Sequence, residues 1–255
     1  MLLSACLPRR RLEFVADLGT GDLMKGSKAS CISGGFGKVE LYKTSSSSPR
    51  FLAVKRAHSH RHNAYILSEY KLGKRLQPHP NIVAFLYLRK NPLPSIVMEY
   101  ADEGDLESLV KENGVLDSEK ANGFFRDLID GLRFMHSKFI AHFDIRPPNL
   151  LVCRGTLKLA DLGLACVFRS KSKEILFRGP RGHNDYMAPE ILVGVIYRGP
   201  PVDAFASGIV LNFLLTGAPS REPLTDSKYG QISRGLLATS PFQRPSLAAL
   251  QISTF

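Results

Sequence analysis

Only four cysteines occur in the 255 residues, Cys6, Cys31, Cys153 and Cys166, and no two form a Cys-x-x-Cys pair. That dispersion excludes the clustered thiolates of a zinc site and the pairing framework of a disulfide scaffold, and it favours a reducing compartment. No internal repeat is present, and low complexity is confined to residues 44–49, a serine-rich stretch short enough to be a turn between strands. The chain also lacks an apolar run that spans a bilayer. Its longest, Val202 to Leu215, contains Asp203, Ser207 and Asn212 and reads as a buried helix. At the start, Arg9, Arg10 and Arg11 follow the apolar residues instead of preceding them, the reverse of a secretory signal. Acidic residues are too few to balance the basic ones, leaving a net charge of +11. No basic run is interleaved with aromatics, so a solvated basic surface is expected and a specific nucleic-acid partner is not. These absences imply an intracellular protein, in the cytoplasm, the nucleus or both, with no membrane attachment.

What is present is an ordinary globular composition, 44% hydrophobic and 22% charged, in a length that suits one large domain or two lobes. Before about residue 100 the pattern is strand-rich, with β-prone runs at Val39 to Lys43, Phe51 to Lys55, Asn81 to Leu88 and Ser95 to Tyr100. One helix is expected among them, from about Asn63 to Leu76. After residue 104 helical periods dominate. Ala121, Phe124, Phe125, Leu128, Leu132 and Met135 recur at helical spacing, with Asp117 or Ser118 as the cap. A small hairpin, Asn149 to Val152 and Leu157 to Ala160, follows. Two unlike halves therefore meet near residues 100–104, and ligand sites favour such junctions.

Residues 32–39 read Ile-Ser-Gly-Gly-Phe-Gly-Lys-Val, and Gly34, Gly35 and Gly37 would let backbone N–H groups approach a phosphate. Alone, a plain β-turn explains them equally well. Their surroundings add weight, because Lys55 follows on the next strand and could reach an α- or β-phosphate. Glu69 is the one acidic residue between Lys55 and Glu99, and it shares a helix face with Ile66, Leu72 and Leu76. An inward carboxylate calls for a cation, and Lys55 is the candidate. The most specific pattern is His142 to Asn149 (His-Phe-Asp-Ile-Arg-Pro-Pro-Asn) with Asp161-Leu162-Gly163 beyond the hairpin. It delivers Asp144, Asn149 and Asp161 to one edge, as a site that positions a hydroxyl nucleophile and binds Mg²⁺ requires.

In these motifs, and in Ala188-Pro189-Glu190, Asp203 and Arg244-Pro245-Ser246, the chain resembles the eukaryotic protein-kinase family from about residue 27 to the end. Residues 163–169 and 201–211 look like the DNA-damage checkpoint kinases of the calcium/calmodulin-dependent group, and Pro147 and Tyr186 suit the serine/threonine class. The resemblance implies an α+β, bilobal fold. It has a 1–26 extension, a 27–101 lobe built on a small antiparallel sheet with one helix, and a larger helical lobe, 102–255. It also implies ATP between the lobes. Met98 would guard the back of the pocket, the backbone of Glu99 and Ala101 would meet the adenine, and Val39, Ala53 and Leu151 would enclose it. Ile32, Gly34, Gly35 and Gly37 would cover the phosphates, Asn149 and Asp161 would hold Mg²⁺, and Asp144, Lys55, Glu69 and Arg146 would serve catalysis. Glu190 would pair with Arg244 as a structural ion pair. The substrate would be a protein hydroxyl; no regulatory partner is indicated.

Several positions depart from the family pattern. Ile32 replaces the first loop glycine, and Arg146 replaces a lysine that contacts the transferring phosphate. Phe143 replaces the arginine that receives an activation-loop phosphate, and an aromatic ring cannot pair with phosphate. His183 replaces a threonine, and the chain between Gly217 and Arg244 is shorter than the family leads one to expect. Pro148 displaces a carboxylate that many kinases use to read substrate arginine, leaving Asp105 to do so alone or to hold the ribose. The basic stretch after Asp161 (Arg169, Lys171, Lys173, Arg178, Arg181) fits acidic substrates or, more simply, a solvated loop. An active serine/threonine kinase is the expectation. A pseudokinase that binds nucleotide or partners is the alternative.

Overall fold

The structure, a computed structural model, describes residues 12–17, 37–45, 48, 50–90, 92–225 and 227–252. The chain divides into two compact units, residues 1–67 with 85–100, and residues 68–84 with 101–255.

The first unit is an antiparallel sheet of β1 (Leu12–Asp17), β2 (Gly37–Thr44), β3 (Phe51–Ala57), β4 (Phe85–Arg89) and β5 (Ser95–Glu99), in the order β1-β2-β3-β5-β4. Alternation along the strands separates two faces. Tyr42, Leu52, Val54 and Val97 form a buried apolar cluster on one, with Leu12, Leu86 and Tyr87 against it. The register pairs Val39 with Lys55, Lys55 with Ile96, and Ala53 with both Leu41 and Met98. Val39, Ala53, Lys55 and Met98 therefore share the opposite face. β1 lies within the expected 1–26 extension and hydrogen-bonds to β2. A bulge between Phe14 and Ala16 breaks its alternation, which hides the strand from a period-2 reading.

Helix α1 (Asn63–Arg75) begins in the first unit and ends in the second. The segment 81–84, expected as part of a strand with 85–88, instead belongs to the second unit. There Val83 N donates to Leu159 O, Leu159 N to Asn81 O, and Asn81 Nδ2 to Leu157 O. Helices α2 (Leu106–Asn113) and α3 (Ser118–Ser137) are capped by Asp105 and Asp117, whose carboxylates accept from Ser108 N and Lys120 N. Gly131 of α3 faces the chain at 81 and 159, where a Cβ would overlap Leu159 Cδ1 and stand 2.9 Å from Asn81 O. Then come β6 (Ile140–Ala141), the hairpin β7 (Leu150–Cys153) and β8 (Thr156–Leu159), and β9 (Cys166–Val167), which pairs with β6. A second small hairpin, β10 (Arg169–Ser170) and β11 (Lys173–Glu174), precedes α4 (Pro189–Leu192), α5 (Gly199–Thr216) and α6 (Ser227–Leu236). The expected apolar helix is α5, buried on nearly every side. Among the described residues α6 is the one helix between Gly217 and Arg244. The loop before it is stitched to α5 by Asn212 Nδ2, which donates to Ser220 O and Glu222 O.

Candidate active site

In the first unit, Lys55 is 5% exposed at the centre of the sheet. A lysine is rarely buried without a counter-charge or phosphate. Ala53 and Met98 beside it are also buried, and Glu99 closes β5. Gly37 opens β2, where a Cβ would stand 2.5 Å from Arg56 O, so only glycine fits that approach. Ile32, Gly34 and Gly35 lie outside the described residues. Glu69, on the part of α1 that belongs to the second unit, is 2% exposed, the inward orientation that its helix face predicts.

In the second unit, α5 fixes the loop 142–149 from beneath. Asp203 is wholly buried, and its carboxylate accepts from the backbone N–H of His142 and Phe143, each at 2.8 Å, and meets His136 Nε2 at 2.8 Å. His142 then sets the next step. Its Nδ1 accepts from Asp144 N at 3.2 Å, so Nε2 carries the proton and donates to Ala160 O at 3.0 Å. The loop turns at Phe143, whose φ of 66° is uncommon for an aromatic residue.

Asp144, 15% exposed at its side chain, is held by Asn149 and Arg146. Asn149 Nδ2 donates to Asp144 O at 2.8 Å and to Oδ2 at 2.7 Å, and Arg146 Nε stands 3.4 Å from the same Oδ2. Both acceptors are oxygens that cannot donate, which fixes the orientation of the Asn149 amide and leaves its Oδ1 for an outside partner. Ala160 N donates to Asn149 O at 2.9 Å, bringing the chain at Asp161 alongside. Asp161 is exposed, sits in the left-handed region at φ 54°, and accepts from Gly163 N at 3.1 Å. An amide oxygen and a carboxylate are hard donors that fit Mg²⁺, an ion that takes its remaining ligands from water and phosphate. Among the described residues no group of three His, Cys, Asp or Glu side chains could hold a metal by itself.

Two expected residues also cap local structure. Asp105 is 2% exposed, and its two oxygens accept from Ser108 N at 2.9 Å and Ser108 Oγ at 2.8 Å. Burial raises its pKa, and these bonds oppose the rise. Its carboxylate caps α2. His183 caps its own turn, with Nδ1 3.5 Å from both Asp185 N and an Asp185 carboxylate oxygen. Leu151 forms an isolated bridge with Asp105, and Ala101 is buried at the start of the unit. The expected ion pair is present: Arg244 grips Glu190 through two bonds of 2.7 Å.

Three residues that shape this site escape a reading of the sequence: His136, Arg181 and Gly182. His136 ends α3 and gives no sign that it reaches Asp203. Arg181 hides within a basic stretch. At Gly182, φ is 92° and a Cβ would stand 2.5 Å from Phe143 O. A glycine beside His183 is the one signal that the sequence offers for it.

A sheet unit presenting a buried lysine, and a helical unit presenting Asp144, Asn149 and Asp161 on neighbouring backbone, define a protein kinase. The protein kinase domain family model matches residues 32–250, so the chain belongs to that family, and its α+β fold is the one expected. Its relatives include Serine/threonine-protein kinase chk-1 of Caenorhabditis elegans, 37% identical over 193 residues, covering 72% of this chain and 38% of the relative. Serine/threonine-protein kinase chk-1 of Caenorhabditis briggsae is 32% identical over 228 residues, 85% of this chain and 46% of the relative. Serine/threonine-protein kinase chk1 of Schizosaccharomyces pombe is 34% identical over 207 residues, with shares of 71% and 41%. These matches cover less than half the length of each relative.

Proposed function

We propose that the chain is an active serine/threonine protein kinase that transfers the γ-phosphoryl group of Mg²⁺-ATP to a protein hydroxyl, within the checkpoint signalling that its family resemblance implies. The observation that carries this reading is the bond between Asn149 Nδ2 and the Asp144 carboxylate. It holds the carboxylate in one orientation, as a base that must meet a substrate hydroxyl requires. Asp144 orients that hydroxyl and accepts its proton. Arg146 adds positive charge beside the base, and Lys55, with Glu69 as its proposed partner, neutralises the nucleotide. Asn149 Oδ1 and Asp161 would hold Mg²⁺, which supplies charge neutralisation on the phosphates. Catalysis is then mostly positioning and electrostatics.

No helix among the described residues is long and apolar enough to cross a membrane. An intracellular location, in cytoplasm or nucleus, is part of the proposal.

The test is Mg²⁺-dependent transfer of labelled γ-phosphate to a generic protein substrate, with Asp144→Asn alongside. Loss of the base should lower turnover by roughly 10²- to 10⁴-fold. Equal signal from the two proteins refutes the reading.

A further inference from the structure

Of the five basic residues in the stretch after Asp161, Arg169, Lys171, Lys173 and Arg178 are exposed, whereas Arg181 is half-buried. Its guanidinium lies 5.2 Å over the ring of Phe143 and 5.6 Å over that of Phe177. Its Nη1 is 3.3 Å from Leu164 O and 3.2 Å from Cys166 Sγ. One side chain thus touches the loop that carries Asp144, the strand that follows Asp161, and the segment that leads to Met187-Ala188-Pro189.

The rings it covers are themselves fixed. Phe143 is 3% exposed and packs edge-on to Phe177 at 4.7 Å, and Phe177 stacks on Tyr197 at 6.2 Å. Phe177 and Tyr197 exchange two backbone hydrogen bonds of 2.9 Å, and Tyr197 OH donates to Gly179 O at 2.8 Å. Gly199 walls the far side, since a Cβ there would stand 3.0 Å from Phe143 Cζ. Directly after Arg181, Gly182 lets the segment lie against Phe143 O. A cation on a desolvated aromatic face is held more strongly than one in water.

We infer that Arg181 is a positioning residue for Asp144, acting through Phe143. The arrangement inverts the one that the family resemblance implies. The cation stands on the activation segment, and the catalytic loop supplies the face that receives it. No phosphate is needed to join the two. Ser170 and Ser172 are exposed, on the small hairpin of β10 and β11 and its turn, and position 143 itself offers them no cation.

The inference rests on the proposed kinase activity only for its kinetic arm. The experiment compares the full chain with Arg181→Met, Arg181→Lys and Phe143→Leu. It reads amide hydrogen exchange across 164–168 and 177–187, kcat, and KM for ATP. Arg181→Met should speed exchange in those two segments about tenfold and lower kcat about tenfold, equivalent to about 1.4 kcal/mol. KM for ATP should stay within about twofold, because the change acts on the base and not on nucleotide binding. Arg181→Lys, which keeps a cation over the ring, should recover part of both losses. Phe143→Leu also loses packing against Phe177 and Tyr197, so the cycle is read as a difference: Arg181→Met should cost much less in the Phe143→Leu background than in wild type. Wild-type exchange and kcat in Arg181→Met overturn the inference, as does exchange that rises equally throughout the chain. A protein with no transferase activity refutes the kinase reading alone, and the exchange data then decide the role of Arg181.

Discussion

Replacing Arg244 by methionine probes the buried ion pair of the helical unit. The Arg244 side chain is 0% exposed and Glu190 5%. Besides two bonds to Glu190, the guanidinium donates to Ala238 O and Pro201 O at 2.9 Å each and to Thr239 O at 3.1 Å, and it lies 4.8 Å from the Phe205 ring centre. Arg244→Met keeps most of the stem volume but strands a buried carboxylate and three carbonyls. Breaking a buried pair costs about 3–5 kcal/mol, and a domain's whole stability is about 5–15 kcal/mol. Glu190→Gln should cost less, about 1.5–3 kcal/mol, because Arg244 keeps its carbonyl acceptors. The double variant Glu190→Leu with Arg244→Met removes the stranded charge and should be more stable than Arg244→Met alone. It should stay below wild type, because the three carbonyls still lack a donor. Urea unfolding followed by far-UV circular dichroism measures these differences; the chain has no tryptophan for a fluorescence signal. A loss below about 1 kcal/mol in Arg244→Met, or a double variant less stable than Arg244→Met, refutes the reasoning.

Three further outcomes are expected. Gly131→Ala should destabilise by about 1–3 kcal/mol in the same unfolding measurement. Overlap with Leu159 and the Asn81 carbonyl outweighs the roughly 1 kcal/mol gained in helix propensity. Asp105→Asn keeps the cap of α2 and removes a buried charge. The raised folded pKa means that the wild-type carboxylate loses stability as pH rises from its ordinary 3.8, so the variant should gain on wild type towards neutrality. Asp203→Asn puts an amide donor where an acceptor is needed by His142 N, Phe143 N and His136. It should cost about 1–3 kcal/mol in unfolding and lower kcat with it.

The chemistry of the site was legible because few residue types can perform it. A lysine on a strand, an inward glutamate and an Asp, Asn, Asp series around a hairpin announce themselves by type and order. Their exact tasks were less legible. Asp105 has the charge to bind a ribose or an arginine, and it also caps α2 through Ser108, three residues on. One carboxylate can serve both tasks, and the residue type alone does not announce the cap. Strand β1 escaped because one bulge reverses its alternation, and residues 81–84 escaped because β-prone residues do not say which sheet or unit receives them. Arg181 was the least legible, since whether a basic residue is solvated depends on the ring across from it, and Phe143 lies far from it along the chain.

Phe143 and Asp161 both stand in the left-handed region, at φ 66° and 54°. An aromatic residue takes that conformation rarely and an aspartate only occasionally, so the surrounding helical unit holds both bends. A synthetic peptide of residues 140–165 would carry Asp144, Asn149 and Asp161 but relax both bends. Antibodies raised against such a peptide should recognise the denatured protein and bind the folded one poorly.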